Sequence, residues 1–219
     1  MNVILFGATG MVGQGILREC LLDAGVERVL TIGRGATGRQ HPKLKELVHP
    51  NLLDYSDIES ELAGFDACFF TLGVSSVGMA EEPYRRITYD VTLAAARALS
   101  RLNPGMTFIY VSGAGTDSTE QGRVMWARVK GKTENDLLKL PFKAVYIFRP
   151  AAIVPLHGIK SRTALYRIPY VILGPILPWM STRFPKYVTT TGQIGRAMLK
   201  AVRQGAPKSV LESADINAL

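Results

Sequence analysis

Three glycines near the start of the chain have the spacing of a phosphate-binding turn. Gly7, Gly10 and Gly13 follow a short apolar run, residues 3–6, and precede a segment with helical periodicity. Glycine at these positions permits a tight turn, a close approach of the backbone to a phosphate, and close packing of the helix on the strand. The N–H groups and the dipole at the helix start attract an anion.

Strand, turn and helix in this order predict a site for the pyrophosphate of a dinucleotide. The alternative is a glycine-rich turn without a ligand. The residues expected to line the site are Gly7, Thr9, Gly10, Met11, Val12 and Gly13.

An arginine follows the second predicted strand, where the adenosine ribose of a dinucleotide would lie. Arg34 comes directly after Gly33, and Arg39 is nearby. An acidic residue here would bind a ribose 2′-hydroxyl and repel a 2′-phosphate, whereas a guanidinium binds the phosphate with two hydrogen bonds. The sequence therefore favours NADP(H) over NAD(H), with Arg34 ahead of Arg39. A solvent-exposed loop arginine is the alternative.

The next two strand ends also carry candidate cofactor contacts. Asn51 and Leu52 follow the third strand, where an amide would bind adenine and a leucine would pack on it, although a turn-forming asparagine is an open alternative. After the fourth strand, Leu72, Gly73 and Val74 would bring backbone against the adenosine ribose and pyrophosphate, because Gly73 permits a close approach.

Apolar strands alternate with amphipathic helices along the chain. This alternation requires crossover connections and predicts an α/β fold, a doubly wound and mostly parallel Rossmann sheet with helices on both faces. We expect one domain over residues 1–219, with a core over 1–155, a small substrate or cover segment over 156–190 and a closing helix over 191–204. The predicted strands cover residues 3–6, 28–32, 44–49, 65–72, 107–112 and 143–148. The other predicted helices cover residues 11–24, 55–63 with a capping box from Ser56 to Glu59, 83–101 and 121–140.

Composition narrows the class of protein. The formal charge is +8, yet the basic residues are dispersed and form no block, which argues against nucleic acid and is explained by an anionic cofactor and a solvated surface. The chain starts without a basic leader, so we expect a cytoplasmic protein. Cys20 and Cys68 lie in apolar contexts without metal-ligand spacing and are expected to be reduced core residues.

A proline-interrupted apolar segment, residues 163–185, follows the predicted core. It contains Tyr166, Tyr170, Trp179 and Phe184. Such a segment is typical of a substrate-cleft cover or a subunit contact, and a peripheral membrane anchor is the alternative. Its most apolar part, residues 165–180, is too short and too interrupted to span a bilayer.

Several short motifs in order resemble the short-chain dehydrogenase/reductase superfamily, in its atypical branch. The nearer likeness is to the Tat-interacting-protein-like oxidoreductases and runs from Met1 to about Gln204. The motifs are Gly7-Ala8-Thr9-Gly10, Leu72-Gly73, Val111-Ser112-Gly113-Ala114, Val129-Lys130-Gly131, Phe148-Arg149-Pro150 and Arg196-Ala197-Met198.

The resemblance implies two catalytic positions and exposes one departure. Ser112 takes the place of the family's active-site serine, and Lys130 that of the lysine in Tyr-x-x-x-Lys, which binds the nicotinamide ribose and lowers the tyrosine pKa. The tyrosine position holds Trp126, whose indole donates one hydrogen bond and releases no proton. Tyr84 and Tyr89 are the nearest substitutes in the sequence.

The loop after the sixth strand passes the nicotinamide carboxamide in the superfamily, which by resemblance implies Pro150, Ala151 and Ile153 as further contacts. The sequence thus predicts an NADP(H)-dependent oxidoreductase acting on a small or apolar carbonyl or alcohol. A redox-inactive NADP(H) sensor or scaffold with a protein partner is the alternative, and either form is compatible with an oligomer.

Overall fold

A computed structural model describes residues 1–159 and 183–219 of the chain. The strands in these residues are β1 (Asn2–Phe6), β2 (Arg28–Gly33), β3 (Leu44–Val48), β4 (Ala67–Phe70), β5 (Thr107–Val111), β6 (Ala144–Arg149), β7 (Ala152–Val154), β8 (Val188–Thr190) and β9 (Val210–Glu212). The α-helices are α1 (Met11–Leu22), α2 (Glu59–Leu62), α3 (Glu81–Arg85), α4 (Val91–Leu102), α5 (Met125–Leu137), α6 (Thr191–Gln204) and α7 (Ser213–Ala218).

Seven strands form one parallel sheet in the order β3-β2-β1-β4-β5-β6-β9, and β7 pairs with β8 separately. The chain runs outward from β1 to β3 and then returns to place β4 on the other side of β1, with Val3 beside both Val29 and Ala67. The order of strands therefore reverses between β1 and β4, and such a switch point opens a crevice at the carboxyl ends of the strands. The predicted doubly wound Rossmann fold is confirmed.

Alternate residues of β1 point into two separate cores, one on each face of the sheet. Ile4 and Phe6 belong to the core beneath α2, α4 and α5, whereas Val3 and Leu5 belong to the core beneath α1, α6 and α7. All four side chains are fully buried, which explains the uninterrupted apolar run in the sequence. Cys20 and Cys68 are free thiols buried in these cores, as predicted.

Three predicted helices differ from the observed elements. The helix expected from residue 121 begins at Met125, since the Asp117 carboxylate accepts hydrogen bonds from the N–H groups of Thr119 and Gly122 and holds a turn. The Ser56 to Glu59 capping box does not form, because a 3-10 turn (Ser56–Ile58) precedes α2 and Ile58 is its N-cap.

The third difference concerns the helix predicted over residues 83–101. It is divided into α3, a π-helical turn (Arg86–Asp90) and α4. The elements β7, β8, β9 and α7 were not predicted, because each is too short to show a periodic pattern.

The predicted cover segment falls mostly outside the described residues, as do Tyr166, Tyr170 and Trp179. Its described end holds Phe184, which is exposed, and leads into β8. The closing helix is confirmed as α6, whose N-cap Thr190 forms a capping box with Gln193. In residues 1–159 and 183–219, no helix has the length and apolar character that a membrane crossing requires.

Candidate functional site

The turn after β1 is packed so tightly that only glycine fits at its first position. Gly7 has a φ of +80°, and a Cβ built there would lie 2.7 Å from both the backbone nitrogen of Leu72 and Oγ1 of Thr71. Thr71 donates from its backbone N–H and its hydroxyl to the carbonyl of Phe6, at 3.0 and 2.7 Å. The turns after β1 and β4 are therefore joined at the switch point.

Gly13 and Gly10 serve different purposes. A Cβ at Gly13 would lie 2.1 Å from the carbonyl oxygen of Gly7, so this glycine is required for α1 to pack on the turn. A Cβ at Gly10 meets only that same oxygen, at 3.3 Å. The close approach that Gly10 permits is thus mostly toward the outside of the protein, where a ligand would lie.

The N-terminus of α1 has the features of an anion-binding site. Gly10 is the N-cap and supplies no capping side chain, and the first turn, which the structure describes in full, carries no acidic residue. Thr9, Met11 and Val12 are half-buried around it. Backbone N–H groups at a helix start need an acceptor, and a pyrophosphate supplies one. The residues present fit the predicted dinucleotide.

The end of β2 is open and lined by a cation. A Cβ at Gly33 would meet only the carbonyl oxygen of Gly35, at 3.9 Å, and Arg34 is exposed. The nearby acid, Glu46 on β3, is engaged elsewhere, since its carboxylate accepts hydrogen bonds from the N–H groups of Thr37 and Gly38, at 2.6 and 3.2 Å. This acid therefore braces the loop that follows β2.

Arg39 lies in a different groove from the crevice. Its neighbours there are Arg18, Leu21 and Leu22 of α1, together with His41. These α1 residues belong to the end of the helix that is remote from Gly10. The structure therefore separates the two candidate arginines.

Asn51 and Leu52 occupy a turn after β3. The side-chain oxygen of Asn51 accepts a hydrogen bond from the N–H of Leu53 at 3.2 Å, so this asparagine forms the turn. Leu52 is 7% exposed and belongs to the core near Phe6. In contrast, Gly73 lies in open space and Val74 is exposed, so the loop after β4 presents free backbone and apolar surface beside Leu72.

The hydroxyl of Ser112 is hydrogen-bonded to a buried ion pair. Ser112 follows β5, and its Oγ donates to the Glu134 carboxylate and contacts Thr116 Oγ1 at 3.1 Å. Glu134 is 1% exposed, and its two carboxylate oxygens share the single Nε–H of Arg149, at 3.1 and 3.0 Å, while Oε2 also accepts from Nη2. Because Glu134 is paired with a guanidinium, it accepts and does not donate. The single proton of Ser112 is therefore committed to Glu134.

Lys130 lies one helical turn before Glu134 on α5. Its ammonium is half-buried, 3.4 Å from the Tyr110 hydroxyl and 5.3 Å from the centre of that ring. Burial lowers the pKa of Lys130 to about 8, and the nearby Glu134 carboxylate opposes this shift. An amine with this pKa exchanges a proton near neutral pH, unlike an ordinary surface lysine.

Trp126 lies one turn before Lys130, at the start of α5. The tip of its ring is 3.5 Å from the position of a Cβ on Gly115, in the loop that contains Ser112. A Cβ at Gly131 would lie 1.8 Å from the carbonyl oxygen of Asp117, so α5 packs directly on the backbone of the same loop. The structure brings Ser112, Trp126 and Lys130 to one end of β5.

The two candidate substitutes for the missing tyrosine are poorly suited to its role. Tyr84 is 2% exposed, and burial raises the pKa of its phenol. Tyr89 donates to Asp136 at 2.8 Å, and burial together with this hydrogen bond raises its pKa. A phenol with a raised pKa is a weaker acid at neutral pH, so neither residue is suited to replace the tyrosine.

The loop after β6 closes the site. Pro150 is buried and its carbonyl accepts from the N–H of Ala114 at 3.0 Å, which ties the loop to the Ser112 turn. Ala151 is exposed, and Ile153 is partly buried on β7.

Sequence reasoning missed Glu134, because a single glutamate in a helix has the pattern of a solvated face. It also missed Ser213, which contacts Ala151.

Comparison with known families assigns the part of the chain that forms this crevice. Residues 3–125 match the NAD dependent epimerase/dehydratase family. The crystal structure of the enzyme WbmF from Bordetella bronchiseptica, in complex with NAD+, is 14% identical with a TM-score of 0.68, and the match covers 99% of this chain and 76% of that one. Solved short-chain dehydrogenase/reductase proteins from Francisella tularensis and Burkholderia thailandensis, 15% and 14% identical, share the fold as well.

Two relatives correct the expected location. The protein named FMP52, mitochondrial, of Eremothecium gossypii is 28% identical over 228 residues, which cover 100% of this chain and 97% of that protein. The protein named FMP52-2, mitochondrial, of Scheffersomyces stipitis is 28% identical over 156 residues, 70% of this chain and 66% of that protein. These names contradict the predicted cytoplasmic location.

Proposed function

The chain belongs to the NAD dependent epimerase/dehydratase family, and we propose that it binds NADP(H) in the crevice at the switch point and acts as an oxidoreductase on a small or apolar carbonyl or alcohol. The observation that carries the binding proposal is the glycine turn. Gly7 and Gly13 are glycine because the protein itself fills the space of a Cβ, whereas Gly10 faces outward beside an uncapped helix start. That combination suits a pyrophosphate.

The preference for a 2′-phosphate is supported by the charges at the end of β2. Arg34 is exposed there, and the carboxylate of Glu46 is directed to backbone N–H groups of its own loop. Arg34 would form a bidentate pair with the phosphate, and Gly33 leaves room for the ribose.

The proposed chemistry depends on few groups. When bound, the nicotinamide supplies or accepts a hydride. Lys130 would hold its ribose and exchange a proton, because the pKa of its amine is about 8. Trp126 would fill the space of the tyrosine and donate one hydrogen bond from its N–H. The exposed Val74 and Val77 give the loop after β4 an apolar surface, which suits an apolar substrate. Without a phenol this reaction is slow.

A second candidate function is supported by Ser112. Its proton is committed to Glu134, and Trp126 releases none, so two groups that would stabilise a developing alkoxide are missing. A protein of this kind would bind NADP(H) without turnover and report the state of the cofactor to a partner protein.

Replacing Arg34 tests the 2′-phosphate assignment. We expect Arg34→Ala to weaken NADPH binding by ~10- to 100-fold, the loss of a charge-assisted pair, while NADH binding changes by less than about 3-fold. Calorimetric titration of both nucleotides measures this. Arg39→Ala is the matched control, because Arg39 is an exposed arginine of the same loop in the separate groove. Equal losses for NADPH and NADH, or a larger effect of Arg39→Ala, would reject the assignment.

A further inference from the structure

The last ten residues of the chain hold the loop after β6. β9 pairs in parallel with β6, so that Glu212 lies beside Arg149. The next residue, Ser213, begins α7 and is 1% exposed. Its Oγ accepts a hydrogen bond from the N–H of Ala151 at 2.8 Å. We call residues 149–153 the β6 loop.

The same short helix also holds the strand that pairs with this loop. Asn217 lies one turn after Ser213, and its Nδ2 donates to the carbonyls of Pro185 and Val188, both at 2.8 Å. Val188 is the partner of Ala152 in the parallel pair of β7 and β8. Two polar side chains of α7, Ser213 and Asn217, therefore fix both sides of this small ladder.

Glu212, the N-cap of α7, contacts the same end of the sheet. Arg149 Nη1 lies 3.7 Å from the Glu212 carboxylate, while the rest of that guanidinium holds Glu134 beneath Ser112. Arg34 lies far from this region, since β2 and β6 are four inter-strand steps apart, about 19 Å at the usual spacing. The residues that α7 positions can therefore contact only one half of an extended ligand.

We propose that Ser213 and Asn217 are positioning residues that set the affinity of the site for the nicotinamide half of the cofactor and leave the adenosine half unaffected. The inference rests on the proposed binding of NADP(H) across the crevice. Without Ser213 Oγ, the Ala151 N–H loses its acceptor, and the β6 loop is held at that point only by the hydrogen bonds of its neighbours Pro150 and Ala152. Without Asn217, the β8 side of the ladder is released.

Two ligands of different length separate these effects. Adenosine 2′,5′-bisphosphate contains only the adenosine half, whereas NADPH contains both halves. We expect Ser213→Ala to weaken NADPH binding by ~5- to 10-fold, the loss of one ordered hydrogen bond, with adenosine 2′,5′-bisphosphate unchanged. Ser213→Thr keeps the hydroxyl and should restore NADPH binding. Ser209→Ala is the matched control, because Ser209 is exposed at the other end of β9.

The measurement is calorimetric titration of the full chain, with thermal unfolding of each variant as a check on folding. Asn217→Ala provides a second variant with the same expected selectivity. Equal losses for both ligands, or no loss for either, in Ser213→Ala and Asn217→Ala would overturn the inference while the proposed function stands. A wild-type protein that binds neither ligand would overturn the proposed function and this inference together.

Discussion

Gly13→Ala should destabilise the protein and abolish nucleotide binding. The added methyl group would lie 2.1 Å from the carbonyl oxygen of Gly7, a backbone atom that already accepts a hydrogen bond from the N–H of Gly10 at 2.9 Å. Relief requires α1 to move away from the sheet and from the buried cores on which it packs. We expect a loss of about 3 kcal/mol or more in the free energy of unfolding, measured by urea denaturation.

Two other glycines provide the controls for this result. Gly105→Ala adds the same methyl group in open space outside the crevice and should leave stability and binding near the wild type. Gly10→Ala meets one oxygen at 3.3 Å, so it should cost about 1 kcal/mol or less, yet weaken NADPH binding by ~10-fold or more. A Gly10→Ala variant that binds NADPH normally would contradict the assignment of this turn to the pyrophosphate.

Trp126→Tyr should raise NADPH-dependent carbonyl reduction by ~100-fold or more, because a phenol restores the proton transfer that indole does not perform. The smaller ring fits the space over Gly115, and Lys130 is one helical turn away to lower its pKa. Steady-state oxidation of NADPH with a panel of small and apolar aldehydes and ketones measures the gain.

Trp126→Phe serves as the control, since it reduces the ring without adding a hydroxyl and should give no gain. Adding Lys130→Met to the Trp126→Tyr variant should remove most of the new activity. If Trp126→Tyr shows no gain, the committed proton of Ser112 limits the reaction and the second candidate function, a cofactor sensor, is favoured.

The parts of the site that depend on local sequence were predictable. The turn after β1 is recognisable in the sequence by its glycines. Gly7 and Gly13 occupy positions where a Cβ would clash with the backbone. The fold was predictable for a similar reason, since strands such as β1 are buried on both faces and are therefore continuously apolar.

The parts that depend on distant contacts were not predictable. Glu134 has the sequence pattern of a solvated helix residue, and its partners Ser112 and Arg149 come from the ends of two other elements. Ser213 lies in a segment too short for any periodicity, and it contacts a residue 62 positions earlier. Leu52 is apolar in either role, so its sequence position did not distinguish core packing from a ligand contact.

Direct titration of the wild-type protein with NADPH and NADH tests the central claim most directly. NADPH fluorescence and calorimetry should both show saturable binding of one equivalent per chain, with NADPH bound at least ~10-fold more tightly than NADH because of the 2′-phosphate. Absence of saturable binding of either nucleotide would contradict the account of the crevice, and tighter binding of NADH would contradict the role given to Arg34.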